Sequence, residues 1–481
     1  MEEFIDTGKK AVTHAEKLGA DEAEIFLYKE NRVTVKFVGG VFASRGGVVK
    51  GLQGTLVRIA EPWIKKKGIP ITTSGTKAGV GIRSVVNKAM GFSSVSSLEE
   101  EKILEAVETS VKIAKIRPAD PNWVSLPMLK KPLGKGGVSD KKVADLNVEE
   151  ILQLCSDCCV VASDYDKRIM QALTMIAAAS VSFGIVSTRG IETYDNGTFF
   201  NMFVETKAKS GAEEVASGDF LMTRNYPDNL RSIAFNASKN TIESLNKKPL
   251  PEKFAGTVVF ENVSWNELFS VIFAYGISAF NVQENRSVYK GKIAQQVAKE
   301  NVSIVDDGLL SEGYGTSRID DEGVPKQKTP IIEKGILSNF LYDNYTANRE
   351  KRETTGNANR RGLYGPPAFA RQPLITPSNL LLMSGKRSLG DLVEEIENGV
   401  LVKGSLIGAG HSNVVTGDFS VTAENAFKIE HGEIAYPLKP CTVAGNLYEA
   451  LNSVVAIGND LKTYENVVCP SVAIEKIVVS T

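Results

Sequence analysis

The chain has few histidines and cysteines, the residues that metal enzymes and disulfide-stabilised proteins use: three histidines and five cysteines in 481 residues. Five thiols in so long a chain are too few for a disulfide framework, which indicates free thiols in a reducing compartment. Lys and Arg number 56 against 57 Asp and Glu, so no positive field favours nucleic acid. No apolar run reaches the about 18 residues of a membrane span, and the opening M-E-E-F lacks a secretory signal's pattern. These absences predict a cytoplasmic protein that binds neither nucleic acid nor membrane.

What is present is ordinary globular composition, with 42% hydrophobic and 23% charged residues. This composition and length predict two or three domains, each able to bury a core. Stretches rich in Pro, Gly and Lys at 118–142 and 247–251 favour turns over packed elements and mark boundaries. The predicted units are an N-terminal domain at 1–250, divisible into 1–120 and 145–250, and a C-terminal β-rich domain at 251–481.

The N-terminal half mixes helical and strand patterns. Apolar residues at helical spacing predict a first helix that ends at Gly19, S-x-x-E at 97–100 predicts the start of a second, and Asn147 predicts a third. Alternating residues at 22–38 predict a hairpin that turns at Asn31. The turn signal D-N-G predicts a second hairpin. That turn lies at 195–197, between strands predicted at 170–186 and 199–208, and the weakly periodic stretch 50–77 is interpreted as an insertion.

The C-terminal half differs in character. A largely apolar helical window at 264–279 predicts one buried helix. Short strands separated by glycine turns from residue 303 onward predict a curved sheet or barrel. The fold class is therefore α+β, with an N-terminal region of helices and antiparallel strands and a C-terminal barrel-like domain that holds a buried helix.

Few residues are candidates for chemistry on their own. His14 and His431 are interpreted as solvated, whereas His411 lies in the glycine-rich run G-A-G-H-S-N, where backbone can approach a ligand. The C-x-x-C-C run at 155–159 continues an apolar helical face and indicates core packing. Neither a G-x-S-x-G elbow nor a strand-to-helix phosphate loop is present.

Motifs along nearly the whole chain, the stretch 50–77 excepted, resemble the PmbA/TldD family, also called modulator-of-gyrase or U62 peptidase-like proteins. Each motif is short, but together they occur in family order. In the C-terminal half they are I-V-D-D-G at 304–308, D-D-E-G-V-P at 320–325, E-K-G-I-L at 333–337, T-G-N-A-N-R-R at 355–361, T-G-D-F-S at 416–420, E-H-G-E-I at 430–434, A-G-N-L at 444–447 and I-G-N-D at 457–460. In the N-terminal half they are G-A-D-E-A-E at 19–24, G-V-G-I-R at 79–83, G-F at 91–92 and P-A-D-P at 118–121.

The resemblance implies where a zinc site would lie. TldD-type members carry H-E-x-x-x-H, in which two imidazoles bind zinc, the glutamate acts as general base and a C-terminal cysteine completes the site. Counting back from V-Y-K-G at 288–291, which resembles the family's A-F-x-G, puts these positions on Ser270, Val271 and Tyr275. Valine cannot take a proton from water, and the serine and tyrosine hydroxyls are poor replacements for imidazole on zinc. Cys469 falls where the cysteine ligand is expected and is interpreted as a remnant.

Loss of the zinc motif with its neighbours retained resembles the PmbA (TldE) branch. The resemblance then implies no cofactor in this chain, zinc in a TldD-type partner subunit, and small unfolded peptides as substrate. An extended peptide can add to a sheet edge with little sequence preference. The candidates for peptide binding are Asn357, Arg360, Arg361 and His411. The resemblance implies that the chain pairs with the TldD-type partner as a heterodimer or a larger assembly, and a homodimer of this chain is a further possibility.

Two alternatives stay open at this point. One is a metallopeptidase with substituted ligands drawn from His411, Cys469 and acids such as Asp418. The other is a protein that modulates DNA gyrase without proteolysis, as the family's older name suggests, although the near-neutral charge argues against it.

Overall fold

Helices and strands alternate along the chain in this computed structural model, which describes residues 2–40, 48–50, 56–58, 68–128, 130–131, 137–360 and 366–480. The α-helices are α1 (Glu2–Lys17), α2 (Glu100–Ile116), α3 (Lys141–Ala144), α4 (Val148–Asp164), α5 (Leu230–Glu243), α6 (Asn262–Leu268), α7 (Ala274–Gly276), α8 (Ala279–Gln283), α9 (Asn344–Arg349), α10 (Leu389–Glu394) and α11 (Leu447–Asn452). A π-helical segment, Phe269–Phe273, joins α6 to α7, and 3-10 turns occur at Ala368–Ala370 and Ala409–His411. Within these described ranges no helix is long and apolar enough to cross a membrane.

The strands fall into an N-terminal and a C-terminal set. The first set is β1 (Glu22–Gly40), β2 (Val48–Lys50), β3 (Leu56–Arg58), β4 (Ile69–Val86), β5 (Ala89–Val95), β6 (Ile169–Ser187), β7 (Glu192–Ser210) and β8 (Glu213–Thr223). The second is β9 (Phe254–Phe260), β10 (Ile304–Asp307), β11 (Lys328–Glu333), β12 (Ile336–Leu337), β13 (Ala358–Asn359), β14 (Leu374–Ile375), β15 (Leu380–Leu382), β16 (Asn398–Ile407), β17 (Asp418–Glu430), β18 (Glu433–Leu438), β19 (Cys441–Asn446), β20 (Val454–Ile457), β21 (Lys462–Tyr464), β22 (Val467–Cys469) and β23 (Val472–Ser480).

The N-terminal sheet is an open antiparallel half-barrel in the order β5-β4-β1-β6-β7-β8. Successive side chains of a strand point to opposite faces, and β1 divides its contacts accordingly. Ile25 and Leu27 pack with residues of α1 and α2, and Val35 packs with residues of α4. On the other face, Phe26 and Tyr28 pack with Ile319 and Phe369 of the C-terminal half. The sheet is therefore covered by helices on one face and by the C-terminal half on the other.

The hairpin predicted at 22–38 is wrong, because β1 runs without a break through Asn31. Asn31 pairs with Thr76 of β4 on one side and with Ser180 of β6 on the other, and its side-chain oxygen accepts a hydrogen bond from the Thr76 hydroxyl at 2.7 Å. Pairing on both sides offsets the turn preference of asparagine.

The turn predicted at 195–197 is also wrong, because these residues lie inside β7 and the chain reverses at 188–191 instead. Asp195 is buried, and its carboxylate accepts hydrogen bonds from the Gly137 N–H, the Ser317 hydroxyl and the Arg318 N–H. Residues 195–197, which would favour a turn in isolation, instead connect the sheet to Gly137 and to the segment at Ser317 and Arg318 through the Asp195 carboxylate.

The insertion interpreted at 50–77 is corrected in part. Residues 69–77 belong to β4 and pair with β1 as far as Val38, while 51–55 and 59–67 lie outside the described residues. The first half of β4 is exposed from Pro70 to Lys77, so no alternation of buried residues marks it as a strand. Of the two predicted helix starts, the one at Asn147 is confirmed, because Asn147 caps α4 in a capping box with Glu150. The start predicted from S-x-x-E at 97–100 is wrong in its capping residue, because α2 begins after Glu99, which forms no side-chain cap.

The C-terminal half contains the predicted barrel and the predicted buried helix. Among the described strands, β9, β23, β19, β17 and β16 pair in a ring that closes between β16 and β9. Along α6, the π-helical segment and α7, Trp265, Phe269, Ile272 and Phe273 are completely buried in the core that this half builds. The α+β fold class is confirmed.

Buried charges connect the two halves of the chain. Arg83 of β4 donates to the Glu24 carboxylate of β1 and to Glu322 Oε1 at 2.9 Å. Arg360 also donates to Glu24, and its guanidinium lies 4.7 Å from the Phe26 ring centre. All four charged side chains are at most 5% exposed. Because each charge is opposed by a partner, the network is stable only when the halves are docked.

We predict that Arg360→Met lowers the free energy of unfolding by about 3–5 kcal/mol, because it leaves the Glu24 carboxylate buried with one partner fewer. The control is Arg189→Met, whose guanidinium is 37% exposed and lies 3.7 Å from Glu22, and which should cost less than about 1 kcal/mol. Urea unfolding of the two variants measures both values, and equal costs would contradict the importance of the network.

Candidate functional site

The helix that carries positions 270, 271 and 275 contains a π-turn. The Ala274 N–H donates to the Phe269 carbonyl, five residues earlier, where an α-helix would bond four residues back. Residues five apart lie roughly 140° apart around an α-helix of 3.6 residues per turn. The wider π-turn brings residues 270 and 275 toward the same side, which is the geometry that two ligands spaced as in H-E-x-x-x-H need. Such turns are frequent at functional sites.

Burial along this segment distinguishes a buried face of the helix from a partly exposed one. Phe269, Ile272 and Phe273 are completely buried, and the Phe269 and Phe273 rings stack with centres 4.5 Å apart. Ser270, Val271, Ala274 and Tyr275 are partly exposed. The three positions identified from the sequence therefore share the accessible face of the helix.

The side chains on this face do not fit a zinc ion. The Ser270 hydroxyl donates to the Glu267 carbonyl at 3.0 Å, which completes a local helical contact. Val271 has no atom that could bind metal or take a proton, and neutral hydroxyls are weak zinc ligands. The π-turn therefore has the spacing that the resemblance implies, whereas Ser270 and Val271 supply no strong zinc ligand.

Cys469, the expected fourth position, lies in β22 and is completely buried. Burial raises the pKa of its thiol, so the protonated form dominates at neutral pH and is a poor ligand. Strand β22 packs against α6, the part of the helix before the π-turn. The thiol acts as a core side chain in this arrangement.

The substituted ligands considered from the sequence do not come together. His411 is exposed in the 3-10 turn that follows Gly408. Asp418 accepts hydrogen bonds from the Thr416 hydroxyl at 2.6 Å and from the Asn446 amide at 2.9 Å, contacts that lower its pKa. Over the described ranges, no three His, Cys, Asp or Glu side chains form a group that could hold a metal ion.

Two peptide-binding candidates are held inside the protein. Asn357 is 1% exposed, donates to Asp306 Oδ2 at 2.7 Å and accepts from the Thr355 hydroxyl. Arg360 is 1% exposed and belongs to the network that joins the two halves. Arg361 lies outside the described residues. Peptide binding by these residues and by His411 stays a prediction.

A cavity that sequence reasoning missed lies next to the helix. It measures about 350 Å³ and is bounded by the segment 288–297, Thr416, Asn446 and α11. Tyr448 of α11 forms part of its wall, and the Tyr448 hydroxyl lies 3.2 Å from the carbonyls of both Ile272 and Val414. The motifs at 288–291, 416–420 and 444–447 contain Val288, Tyr289, Thr416 and Asn446 of its wall, but only the fold brings them together.

Tyr289 forms another part of the wall. It is 1% exposed and packs against Tyr448 with ring centres 5.1 Å apart. Its hydroxyl has no hydrogen-bond partner in the described part of the chain, and burial raises its pKa. A buried hydroxyl without a hydrogen-bond partner costs about 1–3 kcal/mol of folding free energy. The buried Tyr289 hydroxyl therefore destabilises the fold by about that amount.

We predict opposite effects for the two tyrosines when each is changed to phenylalanine. Tyr448→Phe should lower the free energy of unfolding by about 1 kcal/mol, because it removes a hydrogen bond to a buried carbonyl. Tyr289→Phe should leave it unchanged or raise it, because the hydroxyl lost has no partner. Urea unfolding measures both, and a larger loss for Tyr289→Phe would contradict the assignment.

Comparison with known proteins gives a consistent result over the chain. The PmbA/TldA metallopeptidase C-terminal domain matches residues 254–481, the central domain of the same family matches 141–245, and its domain 1 matches 66–114. Together the three matches cover most of the chain in family order.

Individual relatives agree. A metalloprotease of Methanocaldococcus jannaschii is 27% identical over 83% of this chain and 87% of its own length. A metalloprotease PmbA homolog of Haemophilus influenzae is 26% identical over 83% of this chain and 85% of its own. The crystal structure of TldE from Thermococcus kodakarensis shares the fold, with a TM-score of 0.82 at 23% identity over 99% of this chain and 100% of that one. The chain therefore belongs to the PmbA/TldD metallopeptidase family.

Proposed function

We propose that this chain is the non-catalytic, PmbA/TldE-type subunit of a TldD/TldE-type metalloprotease that processes small unfolded peptides. The observation that carries the proposal is the helix face with a π-turn, where Ser270, Val271 and Tyr275 occupy the positions that the resemblance assigns to the zinc motif. The family scaffold is retained, whereas the groups that would bind zinc and activate water are missing.

Overall likeness does not decide the branch, because a metalloprotease and a PmbA homolog resemble the chain to nearly the same extent. The chemistry of the site favours one branch. A zinc peptidase needs two or three fixed ligands and a base beside the bound water, and no group of three such side chains occurs among the described residues. A chain of this kind would depend on a TldD-type partner for zinc and for the base.

The first test compares peptide hydrolysis by this chain alone, by a TldD-type partner alone and by both together. We expect no hydrolysis by this chain alone and hydrolysis by the mixture, because only the partner supplies the zinc site. Replacing both histidines of the partner's H-E-x-x-x-H by alanine should abolish the activity of the mixture. Hydrolysis that persists with that partner variant, or that this chain performs alone, would contradict the proposal.

The second test restores the missing groups through Ser270→His, Val271→Glu and Tyr275→His in one chain. Because the π-turn brings positions 270 and 275 to one face, the triple variant should bind Zn²⁺ at least about tenfold more tightly than the native chain, by chelation from two imidazoles. The matched control carries Ser270→His and Val271→Glu alone and offers a single imidazole. Chelator competition measures the affinities, and equal affinity of the triple variant and its control would contradict the assigned positions.

A further inference from the structure

A polar groove runs along both sides of α11. The cavity of about 350 Å³ beside Tyr289 and a second cavity of about 240 Å³ share Asn446, Glu449 and Asn452 as walls. The second cavity extends to Glu475 and Lys476 of β23. The larger cavity alone is within the range of about 300–1,000 Å³ that small-ligand sites occupy. The two cavities lie on either side of these shared residues and are together called the α11 groove.

The charges of the α11 groove are not neutralised within the chain. Lys292 and Glu449 line the larger cavity, and neither side chain forms an ion pair with any described residue. The remaining wall of that cavity is made mainly of tyrosines and neutral amides. A ligand that carries one negative and one positive end would complement both charges.

The amide of Asn452 leaves an acceptor in the groove. Its Nδ2 donates to the carbonyls of Val297 and Tyr448, both at 3.1 Å, which fixes the orientation of the amide. Its Oδ1 accepts no hydrogen bond from the described residues and is therefore available for an N–H of a ligand. A fixed amide oxygen suits a peptide N–H, whatever the side chain attached.

Two further features belong to the walls of these cavities. Tyr289 has a buried hydroxyl without a partner in the described ranges, and it forms part of the wall of the larger cavity. Lys476, which lines the second cavity, has a φ of +64°, in the left-handed region. Such backbone costs about 1–3 kcal/mol for a residue other than glycine and clusters at functional sites.

We propose that the α11 groove binds a short extended peptide with free ends, its carboxylate at Lys292, its ammonium at Glu449 and a main-chain N–H at Asn452. This inference rests on the proposed function, which makes peptides the substrate. It adds a site on the subunit without zinc, separate from the helix face at 270–275. The groove would hold the ends of the peptide and leave cleavage to the partner.

The test measures binding of tri-alanine to the full chain by calorimetry, together with C-amidated and N-acetylated tri-alanine. We expect C-amidation and Lys292→Ala each to weaken binding at least about fivefold. Because both changes remove the same ion pair, amidation should cause no further loss in Lys292→Ala. N-acetylation and Glu449→Gln should be coupled in the same way.

The matched controls are Lys299→Ala and Glu300→Gln, which change exposed charges outside the groove walls and should leave the affinity within about twofold. Absence of tri-alanine binding at millimolar concentration, or independent effects of amidation and Lys292→Ala, would overturn the groove proposal. Because this assay uses the chain without its partner, its failure is distinct from failure of the hydrolysis test.

Discussion

The packing of the helix from Asn262 to Gly276 against the barrel core is the constraint on which the rest of the site depends. Trp265, Phe269 and Phe273 are completely buried, and the last two stack on each other. Close-packed aromatic side chains leave the helix no freedom to rotate. Since one face is fixed, the opposite face and its π-turn keep positions 270, 271 and 275 accessible whatever side chains they carry.

This separation makes the fold largely independent of the side chains at these three positions. The core face supplies the apolar burial that stabilises the fold, at about 25 cal/mol per Å², whereas the outward face contributes little of it. Side chains at 270, 271 and 275 can therefore change at small cost in stability. The motif A-G-N-L has a structural role that does not depend on zinc. Its Asn446 caps α11 by accepting hydrogen bonds from the N–H groups of Tyr448 and Glu449, and its amide donates to the Thr416 carbonyl.

Much of the fold could be predicted because local signals agreed with the tertiary environment. Helix α4 begins at Asn147 with the capping box that the sequence indicates, and the apolar window at 264–279 marks a buried helix. Prediction failed where tertiary contacts overrode local preference. Asn31 and the run 195–197 favour turns in isolation, yet both lie inside strands. Asn31 is paired on both sides and 195–197 is paired with β6, and these ladder hydrogen bonds outweigh turn propensity.

For the candidate site too, some features follow from local sequence and others from tertiary contacts. The sequence by itself determined which residues stand at 270, 271 and 275, and the resemblance in motif order implies that two imidazoles and a carboxylate stand there in TldD-type members. Only the tertiary structure decided that these positions share a face, that Asn357 and Arg360 are buried, and that Tyr289, Lys292 and Glu449 border one cavity. The physical reason is that burial and cavities arise from contacts between segments far apart in the chain, and no local pattern of residues encodes which distant segment will meet it.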